Sequence, residues 1–309
     1  MKYELMKSFG NKVVILVMII LMCVNGLEIY YQCKYYRHEI DLEQNYTTAD
    51  YKRFISEAVC DIENGEDVFL SKLVIEEFKD REITNEAYDS REEEFTVYGK
   101  YGIYGVIMVV LIVFFTVDTE RRTGMTSIIS MTSGKELKVI PAKQLSFAVS
   151  CLVINAVFLI ESIVLYKIFG GLDMGMKLYN VPGYFGTWFS GNILMYKMVC
   201  TIGMSMAQIL LGNLIYIVSG IFRRRNFIIA GSAIVTVVLY YLCDRIPPKY
   251  CFLNIFECFD GGCLVRDFIL VGFGNIYTYR LWAALIVLFI GVVLSGICNF
   301  LIYRHRRLV

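Results

Sequence analysis

Apolar runs long enough to cross a lipid bilayer alternate with polar segments along most of this chain. A membrane-spanning helix needs about 20 mainly apolar residues, because the hydrocarbon core of a bilayer is about 30 Å thick. Six runs approach or exceed this length: 13–31, 101–117, 144–169, 192–222, 226–243 and 281–303. Apolar pieces within residues 244–280 are shorter and interrupted, and we expect them to form surface or re-entrant helices. The pattern therefore predicts an all-α integral membrane protein with six transmembrane helices.

The first apolar run follows a short segment in which Lys2 and Lys7 alternate with apolar residues. We interpret residues 1–31 as an N-terminal amphipathic segment followed by the first transmembrane helix. A secretory signal peptide is the alternative, because a basic start and an apolar core fit both structures. An uncleaved helix is favoured, since residues 23–30 contain no small-x-small cleavage motif.

Residues 32–99 form a long polar segment between the first and second runs. Its apolar residues have helical spacing over 49–60 and 67–82, and Glu63–Glu66 has the composition of a turn. We therefore expect a helical hairpin. The segment contains 18 Asp and Glu against 8 Lys and Arg, a local net charge of −10. A solvated acidic surface is the simplest role of these carboxylates, and their spacing does not match a calcium-binding loop.

The charges are distributed unevenly relative to the apolar runs. The chain has a formal net charge of +1, so the residues outside 32–99 carry +11. With six spans, many basic residues fall on one side of the membrane: Lys2, Lys7, Lys12, Arg121, Arg122, Lys135, Lys138, Lys143, Arg223, Arg224, Arg225, Arg304, Arg306 and Arg307. Cytosolic loops are enriched in Lys and Arg. We therefore expect a multi-pass protein of the cell membrane with both termini cytosolic, and an acidic extracytoplasmic domain at 32–99.

The polar segment between the second and third runs, residues 118–143, is amphipathic. Three apolar residues with helical spacing share one face: Met125, Ile128 and Ile129. Gly134 suits the left-handed conformation that ends many helices, and Pro141 suits the first turn of the next helix. We therefore expect a short helix within residues 118–137, which opens with Glu120 and lies on the cytosolic membrane surface. Both of its ends join the five-helix transmembrane bundle of residues 100–309.

Motifs for catalysis or for metal binding are missing from the sequence. It contains neither His-Glu-x-x-His nor Gly-x-Ser-x-Gly, and its two histidines, His38 and His305, are far apart in the chain. Gly134-Lys135 resembles the end of a phosphate-binding loop, but Glu136 follows it and the first glycine is absent. We expect no enzymatic activity, no cofactor and no metal in this chain. The cysteines of the outer segments leave disulfide pairing open.

A few polar side chains fall inside the apolar runs. Glu161 lies in the third run, with Lys167 and Lys197 as candidate partners, so Glu161 and Lys197 form a candidate intramembrane polar site. A carboxylate in lipid is costly and often functional. Two roles are open for Glu161: a place on a substrate path, or a structural ion pair or protonated acid. Other polar or small residues are expected to join helices: Asn155, Gln208, Asn213, Asn299, Gly203 and Gly291.

The connector between the second and third runs resembles the cytosolic segment of ABC transporter permeases of the type-2 exporter class. In that pattern a Glu is followed four residues later by a Gly, then by an apolar helical patch, a Thr-rich turn and a Lys that opens the next span. The matching residues of this chain are Glu120, Gly124, Met125, Ile128, Ile129, Thr132, Gly134, Lys135 and Lys143. The order of parts is also similar, with one span, a large outer domain and five further spans.

The resemblance implies that residues 118–137 form a coupling helix that docks into a separate ABC ATPase subunit. It assigns the coupling contacts to six residues: Glu120, Arg121, Gly124, Met125, Ile128 and Ile129. The partner would bind and hydrolyse ATP, and a second permease chain, identical or related, would complete the transporter. The implied function is export of a lipid, a peptide or a small hydrophobic compound. Membrane lipids are the other expected partner, and nothing in the sequence indicates nucleic-acid binding.

A membrane-anchored peptide sensor or antimicrobial-peptide immunity protein is the alternative. Residues 32–99 would then capture a peptide, and the transmembrane helices would only anchor this domain. Such a protein would not need an apolar face on the cytosolic connector, so the connector favours transport. A polytopic membrane enzyme is the third hypothesis, and the missing catalytic motifs argue against it. The identity of the substrate and the choice between a homodimer and a heterodimer are open.

Overall fold

A computed structural model gives the fold of residues 9–35, 46–64, 68–78, 81, 101–122, 136–170, 174–181, 184, 187–221, 225–256, 258, 270–273 and 276–305. The α-helices of this part of the chain are α1 (Lys12–Tyr35), α2 (Tyr46–Asn64), α3 (Val68–Phe78), α4 (Tyr101–Arg122), α5 (Glu136–Gly170), α6 (Ile193–Ile221), α7 (Arg225–Asp244) and α8 (Arg280–His305). Two strands, β1 (Leu270–Phe273) and β2 (Ile276–Tyr279), precede α8. Short 3-10 helices cover Leu178–Asn180 and Pro248–Leu253.

Four helices in the described part of the chain are long and apolar enough to cross a membrane, judged by length and composition. Their apolar parts are Lys12–Lys34 in α1, Pro141–Gly170 in α5, Ile193–Ser219 in α6 and Arg280–Ile302 in α8. The apolar parts of α4 and α7 are shorter, Gly102–Val117 and Ile234–Asp244. The prediction of a helical membrane protein is therefore confirmed, while four of the six predicted spans reach full length.

Helix α6 is the centre of the bundle. It packs against α4, α5, α7 and α8, whereas α1 packs at the edge against α4 and α5. In the most apolar window of α6, 61% of the residues are buried, against 17% in α1 and in α8. The apolar residues on the outside of α1 and α8 suit contact with lipid, because hydrocarbon solvates them as well as another helix would.

Helix contacts define two ends of the bundle. At the end that we call the aromatic end, Tyr184, Trp188, Tyr196 and Leu281 belong to one buried cluster. The end of α1 and the start of α4 lie together, since the Tyr104 hydroxyl donates to Glu28 Oε2 at 2.9 Å. Helix α4 therefore runs antiparallel to α1. The last residues of α4 and the first residues of α5 belong to the opposite end of the bundle.

The hairpin predicted within residues 32–99 is present. Helices α2 and α3 pack against each other around Ala58, Val74 and Phe78, with Ile55 and Ile75 at the edge of this small core. The predicted apolar spacing is what builds this contact, because residues three and four apart share one helix face. The prediction of two helices in the acidic segment is therefore confirmed.

The helices on both sides of the predicted coupling helix extend further than the sequence pattern predicts. Helix α4 continues through Glu120 to Arg122, so Glu120 does not open a new helix as expected. Neither glycine nor proline follows Val117 to end the helix, and arginine is favourable at a helix C-terminus. Helix α5 begins at Glu136, so Pro141 lies inside the helix instead of in its first turn. Because proline has no N–H, α5 lacks one backbone hydrogen bond there.

The segment between α7 and α8 contains a β-hairpin where helices are predicted. Strands β1 and β2 pair antiparallel, with Leu270 opposite Tyr279 and Phe273 opposite Ile276. The expectation of surface or re-entrant helices is therefore wrong for these residues. The sequence does carry a hairpin signal, since two runs of apolar, β-branched and aromatic residues are separated by the dipeptide Gly274-Asn275. Hydrophobicity alone does not distinguish such short strands from short helices.

Candidate functional site

The residues predicted to contact an ATPase divide between two parts of the chain. Glu120 and Arg121 lie in the last turn of the α4 backbone. Four others lie outside the described residues: Gly124, Met125, Ile128 and Ile129. The structure therefore bears on how the connector is held at its two ends, and the predicted docking face stays a prediction.

A buried polar contact joins the helices on both sides of the connector to the central helix. Asn155 of α5 donates through Nδ2 to Gln208 Oε1 of α6 at 2.7 Å and to Ser205 Oγ of α6 at 2.8 Å. Gln208 Nε2 donates back to Asn155 Oδ1 at 3.2 Å and reaches the carbonyl oxygen of Gly102 in α4 at 3.4 Å. The Asn155, Ser205 and Gln208 side chains are completely buried. We call this contact the three-helix joint.

Gly105 allows the three-helix joint to form. A Cβ atom at Gly105 would overlap Gln208 Nε2 and would lie 2.8 Å from Asn155 Oδ1. The two amides therefore rest directly on the α4 backbone. Interhelical hydrogen bonds in membranes contribute about 0.6 kcal/mol on average and up to about 1.7 kcal/mol. Here these bonds fix the positions of three helices relative to one another, because each helix supplies a part of one buried network. The predicted interhelical role of Asn155 and Gln208 is confirmed.

Glu161 belongs to a polar seam between α1 and α5. Asn25 of α1 donates through Nδ2 to Glu161 Oε2 at 3.1 Å and to Ser162 Oγ at 3.3 Å. One helical face of α1 continues the seam, since the Tyr166 hydroxyl of α5 donates to Gln32 Oε1 at 2.7 Å. The partner of Glu161 in the described structure is therefore an amide of the first span, and not one of the lysines proposed from the sequence.

Three residues of this seam were missed by the sequence analysis. Asn25, Glu28 and Gln32 are polar residues inside or at the end of the first apolar run. Their spacing of three and four residues places them on one face of α1. This spacing is the signal that could have identified them, because polar residues inside a span face protein or water in preference to lipid.

Lys197 lies inside the aromatic end of the bundle. Its side chain is 1% exposed, and Nζ is 5.8 Å from the centre of the Tyr196 ring. Glu161 instead accepts a hydrogen bond from Asn25, where α5 packs against α1. The described contacts thus place the two members of the predicted polar site in different surroundings, Glu161 in the α1–α5 seam and Lys197 among aromatic rings.

Helices α6 and α8 run parallel and are closely packed. Asn213 Nδ2 donates to Ser295 Oγ at 3.0 Å, and Asn299 Nδ2 donates to the Asn213 carbonyl oxygen at 3.0 Å. A Cβ atom at Gly291 would lie 3.2 Å from Leu210 Cδ2, so this glycine permits the close approach. The expected packing role of Asn213, Asn299 and Gly291 is confirmed.

Arg81 connects the α2–α3 hairpin to the aromatic end. Its Nη1 donates to the Thr187 carbonyl oxygen at 2.6 Å. Its guanidinium lies 3.8 Å from the centre of the Phe78 ring and 5.1 Å from that of Tyr179. Stacking of this kind is typical of arginine, whose planar cation is attracted to the face of an aromatic ring. The hairpin is therefore in contact with the segment that precedes α6.

Among the described residues, no group of three or more His, Cys, Asp or Glu side chains is arranged to hold a metal ion. Cys33, Cys60, Cys243 and Cys258 form no disulfide bond within the described part of the chain. Disulfide pairing of the remaining outer cysteines, Cys251 and Cys263, falls outside the described side chains and stays open.

Comparison of the chain with protein-family models, with curated protein sequences and with solved structures gives no match. The functional assignment therefore depends on the contacts within the bundle and on the pattern of the connector.

Proposed function

We propose that the protein is the membrane-spanning permease subunit of an ABC transporter. It forms a path for the export of a lipid, a peptide or a small hydrophobic compound. A separate ATPase subunit binds ATP and drives the movement, and a second permease chain completes the path. The proposal is based on the sequence pattern of the connector and on the hydrogen bonds that join α4 and α5, the helices on both sides of it, to α6.

The observation that carries the proposal is the attachment of the connector. Helix α4 continues beyond its apolar part to Arg122, and α5 begins at Glu136, ahead of its own apolar part. The three-helix joint ties both helices to α6. A force applied to the segment between them would therefore reach the central helix of the bundle. A sensor that only anchors an outer domain has no need of this attachment.

The lengths of α4 and α7 support six spans. Helix α4 has 22 residues and α7 has 20 residues, which correspond to about 33 Å and about 30 Å of helix. Helix α4 lies beside α1 and α6, and α7 lies beside α6, so each accompanies a full-length span. The apolar part of α4 ends where charged residues begin, at Asp118, and residues 226–243 of α7 include no charged side chain. Six spans also put the basic segments on one side, with both termini in the cytosol.

The experiment that tests the proposal is purification of the tagged chain from its own membranes, followed by identification of bound ATPase subunits by mass spectrometry. We expect an ABC ATPase to co-purify with the natural chain. Ile128→Asp should abolish this binding without reducing the amount of inserted protein, because a carboxylate replaces an apolar docking residue. Val59→Asp, an exposed apolar position on α2, is the matched control and should retain the ATPase.

Two outcomes would contradict the proposal. One is an ATPase that binds equally well to the Ile128→Asp protein. The other is a natural chain that carries no ATPase but retains a peptide through residues 32–99, which would favour the peptide sensor or immunity protein.

A further inference from the structure

A buried arginine opens the last helix at the aromatic end of the bundle. Arg280 is the first residue of α8, and its side chain is 8% exposed. Its Nε has no hydrogen-bond partner among the described residues. An arginine side chain cannot become neutral in a protein, and a buried donor without an acceptor is unfavourable. This N–H of Arg280 therefore needs an acceptor that the described part of the chain does not provide.

A second cation lies at the same height in the membrane. Helices α6 and α8 are parallel. Asn213 and Ser295, which are 82 residues apart in sequence, lie side by side on the two helices. Gly203 and Leu285 follow the same offset, since a Cβ atom at Gly203 would lie 3.5 Å from Leu285 Cδ2. The offset brings the start of α8 level with buried Lys197. Two positive side chains thus enter the aromatic end at one level.

The residues around Arg280 include a second unsatisfied donor. Trp188 is 9% exposed, its Nε1 has no acceptor among the described residues, and its ring stacks on Tyr279 at 4.3 Å between centres. The carboxylates of the four full-length spans, Glu28 and Glu161, accept hydrogen bonds from Tyr104 and Asn25 in the α1–α4–α5 region. The first N–H groups of any helix also lack partners within the helix and favour anions.

We propose that the aromatic end of the bundle contains a binding site for a phosphate group, with Arg280 as its main ligand and Lys197 as a second positive charge. A guanidinium binds two phosphate oxygens with two parallel hydrogen bonds, and these charge-assisted bonds are strong in a site shielded from water. Arg280 is the first residue of an apolar span that extends to Ile302, with Trp282 exposed beside it. Tryptophan and tyrosine mark the level of lipid headgroups, so a phospholipid headgroup is a natural source of the phosphate. The site does not depend on an ATPase partner.

The test uses full-length protein purified in dodecyl maltoside, a detergent without phosphate. Phosphatidylglycerol is added in one series and sodium phosphate in a second, and binding is measured by native mass spectrometry and by the shift in thermal unfolding. We expect at least one ligand to bind and stabilise the natural protein. Arg280→Gln should weaken that binding at least about tenfold, the effect of losing a hydrogen bond to a charged group. Arg245→Gln, an exposed arginine after α7, should bind normally.

The unfolding temperature without ligand distinguishes a ligand-binding role of Arg280 from a structural role. Replacing an unpaired buried charge by a neutral side chain should leave the stability unchanged or raised, whereas loss of a structural ion pair should lower it. If Arg280→Gln does not insert, Arg280→Lys keeps the charge and should still bind more weakly, because it lacks the planar fork. Binding of phosphatidylglycerol alone identifies a lipid headgroup as the source, and binding of sodium phosphate identifies a site that accepts free phosphate. No binding to the natural protein, or equal binding to Arg280→Gln, would overturn the proposal.

Discussion

At the residue scale, a few polar side chains determine how the spans meet. The three-helix joint is built from amides and a hydroxyl, and the α1–α5 seam adds carboxyl groups; all of these groups would be costly if they faced lipid alone. Each of these residues has its partner on another helix, more than 50 residues away in the case of Asn155 and Gln208. A single substitution at such a position therefore changes a contact between elements.

Gly105 provides the sharpest test of the three-helix joint. Gly105→Ala should destabilise the protein by about 1–3 kcal/mol, because the new methyl group overlaps the buried amide of Gln208. Gly26→Ala is the matched control within a span, since its nearest neighbour, Leu165 Cδ1, would be at an ordinary 3.4 Å. Thermal unfolding in detergent should separate the two variants, and equal stability would show that the joint does not depend on this glycine.

Glu161 is expected to act through its hydrogen bond with Asn25. Glu161→Gln keeps an oxygen that accepts from the Asn25 amide, so the protein level in the membrane should stay normal. Glu161→Leu leaves a buried Asn25 donor with less to bond to and should lower the protein level. Both levels are measured by immunoblotting of membranes, together with transport. Lost transport at a normal level in Glu161→Gln would instead favour a place on the substrate path.

At the element scale, the structure is a central helix packed against four others, and a helical hairpin that contacts the segment preceding this central helix. The hairpin core is small, with Phe78 as its largest buried side chain. Two helices of this size bury little apolar surface and depend on the contact with the rest of the molecule. Arg81 supplies one such contact, its hydrogen bond to the Thr187 carbonyl oxygen.

Removing the Arg81 side chain should loosen the hairpin without unfolding the bundle. We expect Arg81→Ala to increase hydrogen exchange in α2 and α3, because both the Thr187 hydrogen bond and the stacking on Phe78 are lost. Arg53→Ala removes only an exposed ion pair with Glu57 and should change exchange little. Equal exchange in both variants would mean that the hairpin does not rely on Arg81.

At the scale of the whole molecule, six spans require that α4 and α7, the helices with shorter apolar parts, also cross the membrane. A phosphatase reporter, which is active only outside the cytosol, should be inactive when fused after Arg122 and active when fused after Arg245. The reason is that α4 enters the cytosol and α7 leaves it if both cross the membrane. Fusion after Asn64 is the external control. Equal activity at the sites after Arg122 and Arg245 would leave only the four full-length spans.

Local patterns were sufficient for the class of the protein and for most of its helices. The apolar runs, the acidic hairpin and the polar connector follow from hydrophobicity and from a period of 3.6 residues, which neighbouring residues carry by themselves. The same patterns misplaced helix ends and missed the β-hairpin at 270–279. Helix ends depend on capping and on packing, and short apolar runs fit strands as well as helices.

The sequence by itself determined that this chain is a helical membrane protein with charge sorted between its segments, because those properties are sums over neighbouring residues. Only the tertiary structure decided which polar side chains meet. It joined Glu161 to Asn25, 136 positions away, and set Gln208 on the backbone of α4, 106 positions away. It also buried Arg280 at the level of Lys197. Such pairings depend on which helix faces are brought together in three dimensions, and residue spacing along one chain does not contain that information.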